Sequence, residues 1–92
     1  MTLEEVISQL HQIAEKTFIC ARRPWNHTSD VALVPFSDDL RVPDAIKAEG
    51  YEYFLEVSTA KEILEGFIQR NPTLRQTTDF VIYYAENDAF PQ

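Results

Sequence analysis

The chain opens with an amphipathic stretch, TLEEVISQLHQIAEK, that can only be stable if one of its sides is buried. Apolar side chains recur every three or four residues and form a single stripe: Leu3, Val6, Ile7, Leu10, Ile13 and Ala14. Thr2 and Glu5 have the spacing of a capping box, in which a hydroxyl and a carboxylate satisfy free amides at a helix start. The pattern predicts a helix over residues 3–16.

Three later stretches have the composition of β-strands: TFICA, VALVPF and YEYFLEVS. The first should end at Arg22-Arg23-Pro24, because proline cannot donate to a strand ladder. Pro35 places the second at a sheet edge or a bulge. The third alternates, with Tyr51, Tyr53, Leu55 and Val57 on one side, which predicts a strand with one face buried.

Two further helices are predicted. PDAIKAEG is typical of a short helix with Pro43 in its first turn and Gly50 in a left-handed cap. STAKEILEGFIQRN has a helical stripe, a cap at Ser58 or Thr59, and an end at Asn71-Pro72. For residues 79–88 the composition of DFVIYYA favours a strand. The spacing of the residues in and around this stretch also fits one face of a helix: Leu74, Thr78, Val81, Ile82, Ala85 and Ala89.

This order of elements indicates an α+β fold, with helices packed on one face of a small, mainly antiparallel three-stranded sheet. We expect one domain over residues 1–92.

Composition limits the classes of partner. Fifteen acidic residues against eight basic ones leave a net charge of −7, which repels nucleic acid and anionic membranes but attracts a basic protein. No apolar run is long enough to span a bilayer, the first residues do not resemble a secretory signal, and there is one cysteine. We therefore expect a cytoplasmic protein.

The residues that carry chemistry do not form a recognisable site. His11, His27 and Cys20 are not at metal-ligand spacing, so neither a metal nor a cofactor is expected. Cys20, His27 and Asp30 are the residue types of a thiol nucleophile, base and orienter, but Cys20 lies in an apolar strand, where a thiol is usually inert. Gly50 and Gly66 are too few for a phosphate-binding loop. We expect no catalytic residues and no enzyme.

Two surfaces remain as candidates. Arg22, Arg23 and Trp25 form a basic and aromatic cluster, which either binds a partner or consists of a core tryptophan beside arginines that pair with local acids. The end of the chain, YYAENDAFPQ, is rich in aromatic area. On a helix Tyr83 and Tyr84 point in different directions. Either one of them enters the core while Phe90 folds back to hold the terminus, or these aromatic side chains form an exposed binding surface.

The ending Phe80–Tyr84 followed by Glu86-Asn87-Asp88-Ala89-Phe90 resembles a family of small acidic bacterial proteins without assigned activity, which end in a YYxENDAF pattern. Trp25, Tyr53-Phe54 and Asp38-Asp39 match that family loosely, and Asp79 departs from it. The resemblance implies a mobile-element (integron cassette) product or an immunity protein, and it favours a helix for the last segment.

We therefore expect an acidic protein-binding module, of the immunity or antitoxin kind, that neutralises a basic partner. The alternative is a structural domain that self-associates as a homodimer. Neither nucleic acid nor membrane is expected as a partner. The candidate partner-binding residues are Trp25, Asp38, Asp39, Asp44, Glu49, Tyr83, Tyr84, Glu86 and Asp88.

Overall fold

The structure is a computed structural model that describes residues 1–66 and 72–87. Its elements are, in chain order, α1 (Leu3–Ser8), a 3₁₀ turn (Leu10–Gln12), β1 (Thr17–Arg22), β2 (Val31–Pro35), α2 (Asp44–Ala48), β3 (Tyr51–Glu56), α3 (Val57–Glu65) and α4 (Leu74–Asn87). The predicted α+β class is confirmed. Among the described residues, no helix combines the length and the apolarity needed to cross a membrane.

The three strands form the predicted antiparallel sheet, and their order in it is β2-β1-β3. β1 is the central strand, and Pro35 pairs with Thr17 at the end of the edge strand β2. This is the position expected of a proline, because its backbone nitrogen carries no hydrogen to donate to a neighbouring strand. At the other end of β2, the Val31 amide donates to the Met1 carbonyl at 2.9 Å, so the first residues cover part of this edge.

A β-bulge in β3 overturns the simple alternation predicted for that strand. Ile19 pairs with Leu55 but Cys20 pairs with Tyr53, so Phe54 is an extra residue opposite one step of β1. Phe54 and Leu55 are therefore both buried, whereas Tyr53 lies on the other face and is 47% exposed. Placing Tyr53 and Leu55 on one face was wrong because the pattern assumed an unbroken pleat.

The two faces of the sheet are covered unequally. Helices α1, α3 and α4 pack against the first face. The core on this face includes Leu3, Val6, Ile19, Ala21, Leu55, Val57 and Val81. The second face carries Phe18, Cys20 and Val34, which pack with Val42 and half-buried Ile46 from the segment that contains α2. The main helices thus share one face, and α2 lies on the other.

The first helix is shorter than predicted. The capping box is present, with the Glu5 amide donating to Thr2 Oγ1 at 3.2 Å and the Thr2 amide to Glu5 Oε1 at 3.3 Å. The helix nevertheless ends at Ser8 rather than residue 16, because the chain must turn before it enters β1 at Thr17. The 3₁₀ turn keeps Leu10 buried and Ile13 half-buried, whereas Ala14, the last residue of the predicted stripe, is exposed.

The start of α3 also differs from its prediction. The helix begins at Val57 directly after β3, and Glu56 precedes it without a side-chain cap, so a cap at Ser58 or Thr59 was wrong. Burial of Val57 against the sheet decides this boundary. Pro43 likewise precedes α2 rather than occupying its first turn, whereas Gly50 has the predicted left-handed conformation, with φ of +91°.

The ambiguous last segment is helical, as the resemblance favoured. In α4 the buried side chains are Thr78, Val81 and Ile82, which lie on the predicted stripe. A capping box that the sequence analysis missed begins this helix: the Gln76 amide donates to Thr73 Oγ1 at 3.1 Å, and the Thr73 amide donates to Gln76 Oε1 at 2.9 Å. Reciprocal hydrogen bonds at its start therefore favour helix over strand.

Candidate protein-binding surfaces

The connection between β2 and β3, residues 37–49, carries four of the predicted partner-binding acids and is called here the acidic segment. Asp38, Asp39, Asp44 and Glu49 are all exposed in it. Val42 anchors the segment by packing with Phe18 and Cys20 on the second face of the sheet. Residues 37–39 and 41–44 line a shallow groove of about 570 Å³.

Local hydrogen bonds hold the tip of the acidic segment. The Leu40 amide donates to the Ser37 carbonyl at 3.0 Å, and the Ser37 hydroxyl donates to the Asp39 carboxylate. That hydroxyl is the main reason that the pKa of Asp39 lies below its usual value, with a further contribution from Arg41, whose Nε is 3.5 Å from Asp39 Oδ2. Asp39 is thus engaged within its own turn.

Three acids of the segment keep their charge available. Within residues 1–66 and 72–87, Asp38, Asp44 and Glu49 form no ion pair, whereas Asp39 pairs with Arg41. Arg41 and Lys47 belong to the same segment and partly offset its charge. Water and salt weaken the interaction of such exposed carboxylates with neighbouring charges. The carboxylates still attract a basic surface over roughly one Debye length, about 8–10 Å at ordinary ionic strength.

The other predicted group lies on α4. Tyr83 is 44% exposed, whereas Tyr84 is partly buried and packs against the core on the first face. The prediction that one of the two tyrosines turns inward is therefore confirmed. Glu86 is exposed, and Asn87 Nδ2 donates to the Tyr83 carbonyl at 2.9 Å. Asp88 and the proposed fold-back of Phe90 lie outside the described residues.

The predicted residues that the structure describes do not form one continuous patch. The acidic segment packs on the second face of the sheet, whereas Tyr84 packs with α1 and α3 on the first. Asp38, Asp39, Asp44 and Glu49 stay together on their segment, and Tyr83 and Glu86 are on the opposite side. A single partner of ordinary size would use one of these surfaces rather than both.

Trp25 occupies a different place from the other candidates. Its side chain is 8% exposed, packs edge-to-face on Phe54 with ring centroids 4.9 Å apart, and donates from Nε1 to the Ala21 carbonyl at 3.2 Å. Arg23 lies over the indole, 3.7 Å from its centroid, and its Nε is 3.1 Å from Glu52 Oε2. This arrangement agrees with the core-tryptophan alternative, and a partner here would meet mainly the Arg23 guanidinium.

An aromatic row that the sequence analysis missed crosses the second face. Phe36, Phe18 and Tyr53 lie side by side, with the Phe18 ring centroid 4.5 Å from that of Phe36 and 5.9 Å from that of Tyr53. Pairing of Phe18 with Val34 and of Cys20 with Tyr53 puts all three rings on one face. The bulge brings Tyr53 to this face, and nothing in the local sequence marks a bulge there.

The residues considered for thiol chemistry are not arranged around an accessible sulfur. Cys20 is fully buried in the central strand, and burial raises the pKa of its thiol, which disfavours the nucleophilic thiolate. Asp30 instead accepts a hydrogen bond from the Tyr51 hydroxyl at 2.7 Å, and this bond is the main cause of the lowered pKa of Asp30. In the described part of the chain, no group of three or more histidine, cysteine or acidic residues could hold a metal ion.

Comparisons with known proteins identify a family but no function. A family model described as "Domain of unknown function (DUF7716)" matches residues 1–92, the whole chain. Comparisons with curated proteins and with solved structures gave no match. The match agrees with the expectation of a small family without assigned activity.

Proposed function

Because this chain belongs to DUF7716, a family of unknown function, we propose its role from its own surface: a non-catalytic, acidic protein-binding module that holds a basic partner. In the finer form of this proposal the chain is a bacterial, cytoplasmic protein of the immunity or antitoxin kind, which neutralises its partner by covering a cationic site. The observation that carries the proposal is a set of three exposed carboxylates on one anchored segment, which form no ion pair with any other residue that the structure describes: Asp38, Asp44 and Glu49.

Physical chemistry supports a binding role for such a segment. Val42 and the hydrogen bonds of the turn already hold the backbone of the segment, so binding removes less backbone freedom and less of the interaction free energy is offset. A chain with a net charge of −7 also steers a basic partner towards itself, which raises the association rate at low salt. Acidic side chains can then fill a site that would otherwise bind phosphate groups.

The test is affinity capture from a bacterial lysate with the immobilised chain, at about 50 and 300 mM salt, read by mass spectrometry. We expect a basic protein that is retained at low salt and lost at high salt. A variant with Asp38→Asn, Asp44→Asn and Glu49→Gln should lose it.

A matched control removes the same number of charges elsewhere. Glu62→Gln, Glu65→Gln and Asp79→Asn change three exposed acids of α3 and α4, which pack on the first face. This control should capture the partner as the unchanged chain does. Equal loss in both triple variants would mean that net charge alone acts, and it would contradict a binding role for the acidic segment.

A further inference from the structure

The second face of the sheet carries an apolar surface beyond the area that the acidic segment covers. Of that segment, Val42 and Ile46 pack on the face, and the five-residue helix α2 has no buried residue. Phe36 and Tyr51 are only half-buried, and Tyr53 is 47% exposed. The two outer rings of the aromatic row, those of Phe36 and Tyr53, are therefore partly accessible on either side of buried Phe18.

The aromatic row is rigid. Phe18 is buried at its centre and contacts Phe36 on one side and Tyr53 on the other, the latter edge-to-face at an interplanar angle of 79°. All three residues lie on or next to paired strands, where the backbone cannot rearrange without breaking the ladder. Rigid aromatic surface of this kind binds with a small loss of side-chain entropy.

We propose that the aromatic row is the apolar docking surface for a basic polypeptide segment, one that presents an aromatic or aliphatic side chain flanked by lysine or arginine. The inference rests on the proposed function for the sign of the partner's charge, and it adds the apolar contact that anchors the partner. Charge complementarity selects this occupant, because Asp38, Asp44 and Glu49 lie on the segment that packs on the same face.

The same charges disfavour a second copy of the chain as the occupant. A twofold contact through this face would bring the acidic segments of both copies to one interface. Each copy carries a net charge of −7, and the four acids of its acidic segment outnumber Arg41 and Lys47, so the two segments would repel each other.

The test uses two fluorescent peptides of equal length and charge, KKFKLKK and KKSKSKK, and measures their affinity for the chain by fluorescence anisotropy at low salt. We expect the first peptide to bind at least about tenfold more tightly, a difference of ~1.4 kcal/mol. Tyr53→Thr, which keeps a residue suited to a strand, should reduce this preference to less than about threefold, ~0.65 kcal/mol.

Tyr83→Gln is the matched control, because it removes a similarly exposed tyrosine from α4 on the other side of the sheet and leaves a good helix former. It should preserve the tenfold preference, and thermal unfolding should show that both variants are folded. Equal affinities for the two peptides, no binding of either peptide, or a preference that survives Tyr53→Thr would overturn the inference.

Failure of the docking surface can be told apart from failure of the proposed function. If the Asp38→Asn, Asp44→Asn, Glu49→Gln variant weakens both peptides equally while the unchanged chain does not distinguish between them, the acidic segment binds cations and the aromatic row does not dock. If that triple variant binds both peptides as the unchanged chain does, the acidic segment itself has no binding role.

Discussion

Two residues of the described chain, Gly50 and Leu40, have positive φ angles, which a glycine tolerates better than a leucine does. Gly50, at +91°, joins α2 to β3 and has no side chain to strain. Leu40, at +52°, stands at the tip of the acidic segment, where it is 63% exposed. A left-handed conformation costs an ordinary residue about 1–2 kcal/mol, so Gly50 suits its position and Leu40 is strained.

Substitutions at these two positions should therefore change stability in opposite directions. We expect Gly50→Ala to lower the free energy of unfolding by about 1–2 kcal/mol, because a Cβ is disfavoured at this φ. Leu40→Asn should raise it by up to about 1 kcal/mol, since asparagine tolerates the left-handed region. Urea denaturation with a common m-value measures both, and a neutral Gly50→Ala would show that the connection can change its conformation.

The hydrogen bond between Tyr51 and Asp30 predicts a specific dependence of stability on pH. It lowers the pKa of Asp30 and raises that of Tyr51 in the folded protein. The contribution of Asp30 is present above its unfolded pKa of about 3.9 and is lost as the pH falls through the lower folded value. The contribution of Tyr51 is present below about pH 10 and is lost as the pH rises through the higher folded value.

Tyr51→Phe removes the hydrogen bond and leaves the ring under Arg22, whose guanidinium lies 4.5 Å from the ring centroid. The difference in unfolding free energy between the unchanged chain and this variant should be constant from about pH 5 to 9 and should shrink below about pH 3.9 and above about pH 10. Chemical denaturation across this range measures it. A difference that does not vary with pH would contradict the assigned pair.

At the scale of elements, α4 depends on how its first turn is capped. Thr73→Ala removes the hydroxyl that accepts from the Gln76 amide, and it should lower the free energy of unfolding by about 1 kcal/mol. Thr77→Ala is the control, because the Thr77 hydroxyl only donates to the Thr73 carbonyl within the helix. Thermal or urea unfolding should show that Thr77→Ala leaves the free energy of unfolding unchanged or raises it slightly. If Thr73→Ala and Thr77→Ala changed it equally, that result would argue against a cap at Thr73.

The same helix shows how far element prediction can go. Apolar spacing placed Thr78, Val81 and Ile82 on the buried side of α4, but composition favoured a strand. Spacing also placed Leu10 correctly on the buried side of the first segment although the helix ends earlier. A prediction of burial can be correct even where the predicted helix boundary is not, because burial requires only that the side chain point towards the core. The boundary of an element depends in addition on where the chain must turn.

For the whole molecule, Cys20 reports on global opening. It is fully buried in the central strand of the sheet, and its raised pKa further suppresses the reactive thiolate. We expect its labelling by a thiol reagent under native conditions to require unfolding of the sheet, so the labelling rate should equal the intrinsic rate multiplied by the fraction of unfolded protein and should rise with urea. Labelling rates across sub-denaturing urea concentrations, compared with equilibrium unfolding, measure this.

A free-thiol model peptide with the β1 sequence, TFICAR, provides the intrinsic labelling rate at each urea concentration. If Cys20 in the intact chain reacts at a rate that does not depend on urea, the thiol is reached by a local opening of the second face. That result would show that the acidic segment leaves the sheet more easily than the molecule unfolds.

The sequence by itself determined the identity and order of most elements, the antiparallel sheet, the edge position of Pro35, the conformation of Gly50 and the acidic surface. These properties depend on residues close together in the chain, such as a periodicity, a missing amide or a capping pair. Only the tertiary structure decided where α1 ends, which face carries Tyr53, that Trp25 is buried under Arg23, and that Phe36, Phe18 and Tyr53 form one row. Each of these depends on strand register or on contacts between distant segments, and one extra residue in β3 is enough to move a side chain to the opposite face.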